Sequence, residues 1–249
     1  SKSWLYGKAW ITLQPHFYAT DSLTLDAKGM ELKKVALIKG TQQQVLPFTY
    51  DDWQIRIKLD KTYKAGEKYT IFIDYIAKPD EFEKKYANEQ MLGIKGMYFI
   101  NPKGEDKKKP TQIWTQGETE SSSAWFPTID KTAQKTTEEL SVTVDNKYVT
   151  LSNGKLMSQK KNADGTRTDY WKMDLPHSPY LFFLGVGEYA VIKDSWRGKE
   201  VNYYVEKEYA GVAKKIFGNT PEMMTYFSKI TGVDFPWVKY SQITGRDYV

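Results

Sequence analysis

The sequence has no cysteine among its 249 residues, which excludes disulfide bonds, thiolate metal sites and a cysteine nucleophile. It also lacks any apolar run near the ~20 residues that a membrane-spanning helix requires, so we expect no membrane span. No basic-then-apolar signal segment opens the chain, and we expect any signal peptide to precede Ser1. The absence of cysteine leaves the compartment open, and we favour export to the periplasm or cell envelope over the cytoplasm.

Histidine is scarce, since the chain has only His16 and His177, each beside a proline. Neither has a second histidine four residues on, so the HExxH helix of many zinc enzymes is absent. We expect both histidines to lie on the surface or in loops. Glycine-rich phosphate loops and a G-x-S-x-G elbow are also missing, so the sequence shows no self-contained catalytic site and no metal-ligand set.

Long runs of one charge are absent as well, although the formal net charge is +5. The densest lysine cluster, Lys107–Lys109, follows Glu105 and Asp106, which is typical of a solvated loop. Because the other lysines are dispersed among acidic residues, the sequence predicts no nucleic-acid partner.

What the chain does contain is a series of short segments typical of β-strands. Trp53–Leu59 alternates between apolar and polar residues, the period of a strand with one buried face. Asn153-Gly154 and Asp164-Gly165 each predict a hairpin turn, since these residue types tolerate positive φ. Strands so closely spaced, with no helix between them, predict antiparallel sheets packed together. The other predicted strands are Ala9–Leu13, Leu23–Leu25, Val35–Ile38, Tyr69–Tyr75, Leu140–Val144, Tyr148–Leu151, Asp169–Met173, Leu181–Val186, Tyr189–Ile192 and Val201–Val205.

The pattern changes near Glu206. Tyr209–Phe217 has helical spacing, and a second helix is predicted from Thr220 as N-cap to the residue before Gly232. A last strand is predicted from about Trp237. We therefore expect a β-domain over residues 1–206 and the beginning of a second domain over residues 207–249. The apolar faces of these helices require cover, either from another chain or by packing back on the β-domain.

One polar segment follows a predicted strand and carries both an amide and a carboxylate. If residues 115–118 are extended, the side chains of Gln116 and Glu118 point to the same side. Together they could bind a cationic or hydrogen-bonding ligand group. A polar strand edge or loop with no ligand is the alternative interpretation, and the residues alone leave both open.

This segment and Phe126-Pro127-Thr128-Ile129-Asp130 resemble the T-Q-x-E/Q and F-P-x-x-D motif of the aminopeptidase N family. These zinc exopeptidases are gluzincins and include the leukotriene-hydrolysing aminopeptidase. Met97–Pro102 is similar to the segment before that motif, and Phe235–Gln242 resembles the family's F-P-W/Y-x-K segment, which precedes its G-A-M-E-N signature. The resemblance implies a mainly β fold: a saddle-shaped antiparallel β-sandwich, followed by the first helices and strand of an α/β thermolysin-like catalytic domain.

The resemblance also implies roles for two residues. Glu118 matches the family residue that binds the substrate amine, and Gln116 matches a position lining the pocket for the first substrate side chain. A cis peptide bond is expected between Glu118 and Thr119. Thr128-Ile129 and Lys131-Thr132 depart from the more usual Cys-Phe and Glu-Pro, and we expect these changes to affect only local packing.

The remaining implications concern the parent enzyme. Its zinc, G-A-M-E-N and HExxH motifs are expected beyond Val249, so this chain alone is expected to bind no zinc and to be inactive. The expected partners are the N-terminus of a peptide substrate and the missing catalytic domain of the same chain. The alternative is a free-standing β-sandwich module that binds peptide or sugar through exposed aromatics among its 8 Trp and 18 Tyr.

Overall fold

The structure is a computed structural model that describes residues 3–88 and 93–248. It divides into two compact units. Unit 1 comprises residues 1–98, 115–135 and 177–182, and unit 2 comprises residues 99–114, 136–176 and 183–249.

Unit 1 contains two antiparallel sheets. The first has the strand order β1-β7-β3-β4 and the second the order β2-β6-β5. The strands are β1 Leu5–Leu13, β2 Thr20–Asp26, β3 Met30–Lys39, β4 Gln42–Val45, β5 Phe48–Tyr50, β6 Gln54–Tyr63 and β7 Tyr69–Ala77. Every pairing within these two sheets is antiparallel.

The core of unit 1 follows from the alternation of its strands. In β6, Ile55 and Ile57 are buried while the intervening Arg56 is exposed. Val35 and Ile73 of the other sheet belong to the same buried cluster, so the apolar faces of the two sheets share one core. Each fully buried aliphatic side chain contributes roughly 1.5–3 kcal/mol relative to exposure. This arrangement is the predicted sandwich.

A short helix in unit 1, α1 at Pro79–Tyr86, was not predicted. Proline stands at its start, acidic residues fill its first turn and lysines its last, and each of these favours a helix. Pro79 and Phe82 are its buried residues, and the ring centre of Phe82 lies 5.1 Å from that of Trp53.

Unit 2 contains most of three further sheets, with the orders β11-β14-β9-β8, β10-β13-β12 and β15-β16-β17. The strands are β8 Met97–Ile100, β9 Gln112–Thr115, β10 Thr136–Asp145, β11 Val149–Ser152, β12 Lys155–Lys161, β13 Thr166–His177, β14 Leu184–Gly187, β15 Tyr189–Trp196, β16 Lys199–Glu206 and β17 Lys239–Ile243. The pairing of β16 with β17 is parallel, with Val201 opposite Tyr240.

Two hairpin predictions have different outcomes. The turn at Gly165 joins β12 and β13, which pair as an antiparallel hairpin, and is confirmed. The turn at Gly154 does not form a hairpin, because β11 pairs with β14 and β12 pairs with β13. Gly154 has a φ of 70°, and a Cβ atom there would lie 1.8 Å from the carbonyl oxygen of Lys172. This glycine lets the chain pass between two sheets.

The helices of unit 2 are α2 at Ala213–Phe217 and α3 at Thr220–Thr231. The prediction that the first begins at Tyr209 is wrong, since Gly211 interrupts it and no side chain caps its N-terminus. The prediction of Thr220 as N-cap is also wrong. Asn219 occupies that position, and the Thr220 hydroxyl donates a hydrogen bond of 2.7 Å to the carbonyl of Phe217.

Only part of the apolar surface of these helices is covered. Met224 packs against a cluster containing Trp196 and Tyr203 of unit 2. Phe227 and Ile230 of α3 are exposed in the part of the chain that the structure describes, so the cover expected for this face stays a prediction.

The prediction of a strand at Leu181–Val186 is wrong in its first half. Pro179–Leu181 is a 3₁₀ turn, which the fixed φ of Pro179 favours, and β14 begins at Leu184. The predominance of antiparallel β-structure is confirmed. Among the described residues, no helix is long and apolar enough to cross a membrane. The division at residue 206 stays a prediction.

Candidate functional site

The polar segment singled out in the sequence lies in unit 1, directly after β9. The backbone amide of Gln116 donates a hydrogen bond of 2.9 Å to the carbonyl of Gly96, and the backbone amide of Ser121 donates one of 2.8 Å to the carbonyl of Gly117. The Glu118–Thr119 peptide bond is cis, as the family resemblance predicted. Residues 116–121 therefore form a turn, here called the anchor turn, between β9 and the 3₁₀ turn at Ser122–Ala124.

At Gly117 the anchor turn lies close to neighbouring parts of the chain. A Cβ atom on Gly117 would lie 2.3 Å from the hydroxyl oxygen of Ser122 and 2.6 Å from the carbonyl oxygen of Tyr180. No side chain fits there without displacing backbone, so the turn packs closely against residues 177–182 of the same unit.

The exposed residues of the anchor turn are Glu118 and Thr119, whereas Gln116 is half-buried. The strand ends at Thr115, so strand alternation does not fix the relative directions of Gln116 and Glu118, and their placement on one side stays a prediction. In the part of the chain that the structure describes, no hydrogen bond or ion pair engages the Glu118 carboxylate. A carboxylate so placed can accept charge-assisted hydrogen bonds from a cation in solution.

Buried polar contacts support the segment after the anchor turn. The Ser122 hydroxyl donates a hydrogen bond of 2.8 Å to the carbonyl of Pro179, and the Ser123 amide donates one of 2.8 Å to Oδ2 of Asp130. The Asp130 amide in turn donates a bond of 2.9 Å to Oδ2 of Asp26. Burial raises the pKa of Asp130, which is only 2% exposed.

Lys28 contacts the anchor turn from the loop after β2. Its amide donates a hydrogen bond of 2.7 Å to the carbonyl of Ser123, and its ammonium donates one to the backbone carbonyl of Glu120. Burial lowers the pKa of Lys28, and the nearby carboxylates of Asp130 and Asp26 act in the opposite direction. Lys28 was not predicted from the sequence, since no local pattern connects it to residues more than ninety positions away.

The histidines do not join this site. His16 is exposed, as predicted, whereas the prediction for His177 is wrong. His177 ends β13, is 3% exposed, and its ring lies 4.6 Å from that of Phe182. Across residues 3–88 and 93–248, no three His, Cys, Asp or Glu side chains converge to hold a metal ion. The residues described do not fit a zinc site.

Several relatives are similar to this chain. The puromycin-sensitive aminopeptidase of Caenorhabditis elegans is 26% identical over 190 residues, 75% of this chain and 19% of that protein. The transcription initiation factor TFIID subunit 2 of Danio rerio is 21% identical over 188 residues, 74% of this chain and 15% of that protein. The endoplasmic reticulum aminopeptidase 1 of Mus musculus is 19% identical over 228 residues, 88% of this chain and 23% of that protein. The chain thus spans about a fifth of the length of these relatives.

The fold is also found in a solved structure. A mutant of a two-domain M1 zinc metallopeptidase, bound to L-arginine, aligns with a TM-score of 0.78 at 17% identity and covers 97% of this chain and 52% of that one. At this identity the likeness shows the fold alone. The sequence itself matches the model of the Peptidase M1 N-terminal domain over residues 1–181, and the chain therefore belongs to that family.

Proposed function

We propose that this chain is the N-terminal part of a zinc-dependent aminopeptidase, and that Glu118 binds the α-ammonium group of a peptide substrate. The observation that carries the proposal is the exposed Glu118 carboxylate, without a partner in the described part of the chain, on a turn whose backbone is held on both sides. Membership of the M1 family supports the same role.

The chemistry of an exopeptidase explains why a carboxylate is needed here. A peptide N-terminus carries a positive charge that no internal peptide bond has, so a fixed carboxylate selects chain ends. Enclosure by another domain would remove water from the contact and strengthen it beyond the ~0–1 kcal/mol of an exposed ion pair. Gln116, which is half-buried and precedes Glu118 by two residues, would line the pocket for the first substrate side chain.

The zinc chemistry is assigned to a further part of the protein. A zinc ion bound there would polarise the scissile carbonyl and activate a water molecule. We assign residues 1–206 to the N-terminal β-sandwich domain and residues 207–249 to the start of the catalytic domain, and we propose export to the periplasm or cell envelope.

A binding module without catalytic activity is the second candidate. The matched TFIID subunit 2 is named as a transcription initiation factor subunit and not as a peptidase, so this type of domain is not confined to proteins named as peptidases. In that case Glu118 would contact a protein or peptide ligand without any cleavage.

The two candidates differ in the activity of the full-length protein encoded with this chain. We expect it to release the N-terminal residue from a peptide with a free amine and to leave the N-acetylated peptide intact. A chelator should abolish the activity and added zinc should restore it. A correctly folded, zinc-supplemented protein with no such activity, or a reading frame without G-A-M-E-N and HExxH, would favour the binding module.

A further inference from the structure

We infer that Lys28 is a positioning residue for Glu118, because its ammonium group fixes the C-terminal arm of the anchor turn. The inference rests on the proposed function, since it assigns a role in substrate binding to a residue that does not itself contact substrate. Lys28 stabilises the turn through the main chain of Glu120 and leaves the exposed Glu118 carboxylate available.

A side-chain contact from Lys28 adds to the backbone contacts that hold the anchor turn, which include the hydrogen bond from the Ser121 amide to the Gly117 carbonyl. Backbone contacts hold the N-terminal arm, through the Gln116 amide bonded to the carbonyl of Gly96 and through the close packing of Gly117. On the C-terminal arm, the carbonyl of Glu120 accepts its hydrogen bond from the Lys28 side chain. The exposed residues lie between these supports, so movement of either arm would displace the Glu118 carboxylate.

Lys28 is itself held in place by the adjoining backbone. Its amide bonds to the carbonyl of Ser123, and two residues earlier Asp26 exchanges two backbone hydrogen bonds with Thr128, of 2.8 and 3.0 Å. Because this backbone is fixed, only the side-chain torsions of Lys28 have to be ordered when its ammonium contacts Glu120.

The charges around Lys28 are consistent with this role. Asp26, Asp130 and Glu120 act favourably on its ammonium, and Lys131 acts against it. Because the Lys28 side chain is half-buried, its hydrogen bond to the Glu120 carbonyl is partly shielded from water and is stronger than a fully exposed contact.

Lys131 provides a matched control for Lys28, because it also contacts Glu120. Its ammonium lies 2.6 Å from the Glu120 carboxylate, and both side chains are about half exposed. Such a surface pair contributes little, and it engages the side chain of Glu120 instead of the main chain of the turn. Lys28→Met and Lys131→Met therefore remove the same charge, one from the main chain of Glu120 and the other from its side chain.

The first experiment is steady-state kinetics of the full-length enzyme on an aminoacyl substrate, combined with thermal unfolding. Lys28→Met should raise KM about tenfold, the order expected for loss of a hydrogen bond from a charged donor, with kcat changed less than about twofold. Lys131→Met should leave both constants near those of the wild type. A Lys28→Met enzyme that is less heat-stable yet has the wild-type KM would overturn the inference and leave a purely structural role.

Glu118→Ala separates this inference from the proposed function. If Glu118→Ala leaves KM unchanged, the proposed function fails. If Glu118→Ala raises KM while Lys28→Met does not, only the positioning role fails. Lys28→Met leaves the buried carboxylate of Asp130 without its nearby cation, and this could prevent folding. In that case the double variant Lys28→Met/Asp130→Asn, which also removes the carboxylate, is expected to show the same rise in KM.

Hydrogen exchange of the present chain supplies a readout that needs no activity. In Lys28→Met, the Ser121 amide should exchange faster than in the wild type, while amides of the central strand β7 keep their rates. Equal rates at Ser121 in the two proteins would contradict the inference, whatever the function of the parent enzyme.

Discussion

The hydroxyl of Tyr75 donates a hydrogen bond of 3.1 Å to the backbone carbonyl of Trp125, and both residues are buried. Tyr75 lies in the central strand β7, and Trp125 follows the 3₁₀ turn that continues from the anchor turn. Burial raises the pKa of Tyr75, so the phenol is a neutral donor at physiological pH. This contact ties the segment after Glu118 to the core of unit 1.

Removing that hydroxyl tests how firmly the segment is held. Tyr75→Phe leaves the carbonyl of Trp125 buried without this donor, so we expect a loss of roughly 1–3 kcal/mol in the free energy of unfolding. Urea denaturation measures it. Tyr18→Phe is the control, because Tyr18 is 85% exposed and should change stability by less than about 0.5 kcal/mol. Equal effects of the two substitutions would contradict the assignment.

The close packing at Gly117 gives a second prediction. In Gly117→Ala the new methyl group would overlap Ser122 and the backbone of Tyr180, and we expect a destabilisation of roughly 1–3 kcal/mol. Gly211→Ala is the matched control, since no atom lies within 4 Å of the added carbon. Thermal unfolding of both variants checks the prediction, which would be wrong if Gly117→Ala were as stable as Gly211→Ala.

Lys239 gives a prediction about pH. Its ammonium donates hydrogen bonds to the carbonyls of Ser152 and Gly154 and lies 4.9 Å from the centre of the Trp171 ring. Burial lowers the pKa of Lys239 from 10.5 to about 8. Between these values the unfolded chain binds more protons than the folded one, so the free energy of unfolding should rise with pH through this window.

The contribution of Lys239 is isolated by comparison with Lys239→Met. Titrations of other groups occur in both proteins and cancel, so the stability difference, wild type minus variant, should increase by roughly 3 kcal/mol between pH 8 and 10.5. Below pH 8 the difference should be flat. Urea unfolding at several pH values measures it, and parallel stability curves across the window would contradict the assigned pKa.

Sequence patterns predicted those parts of the fold that depend on local alternation. Strands such as β6 have one buried and one exposed face, and this difference is visible in the order of Ile55, Arg56 and Ile57. The separation of β11 from β12 was not predictable in this way, because Asn-Gly favours a hairpin and only tertiary pairing sends the strands to different sheets. The helix predicted from Tyr209 was too long. The apolar residues from Tyr209 onward have helical spacing, but Gly211 disfavours a helix and α2 begins only at Ala213.

The site was predicted in part, for a similar reason. Glu118 and Gln116 were identified through their motif, and their roles stay predictions. Lys28 could not be found from sequence, because its contact with Glu120 depends on how two distant loops meet. The charge and burial of Lys28 indicate a role in the site only once the fold brings its ammonium into contact with the anchor turn.

The most direct test of the account is the effect of Glu118→Ala on the proposed full-length aminopeptidase, compared with Glu105→Ala, which removes an exposed glutamate from another loop. We expect Glu118→Ala to raise KM for a free-amine substrate roughly 10- to 100-fold, as loss of a charge-assisted hydrogen bond predicts. Glu105→Ala should have the wild-type KM. Equal KM values for both variants and the wild type would contradict the assignment of Glu118 as the residue that binds the substrate amine.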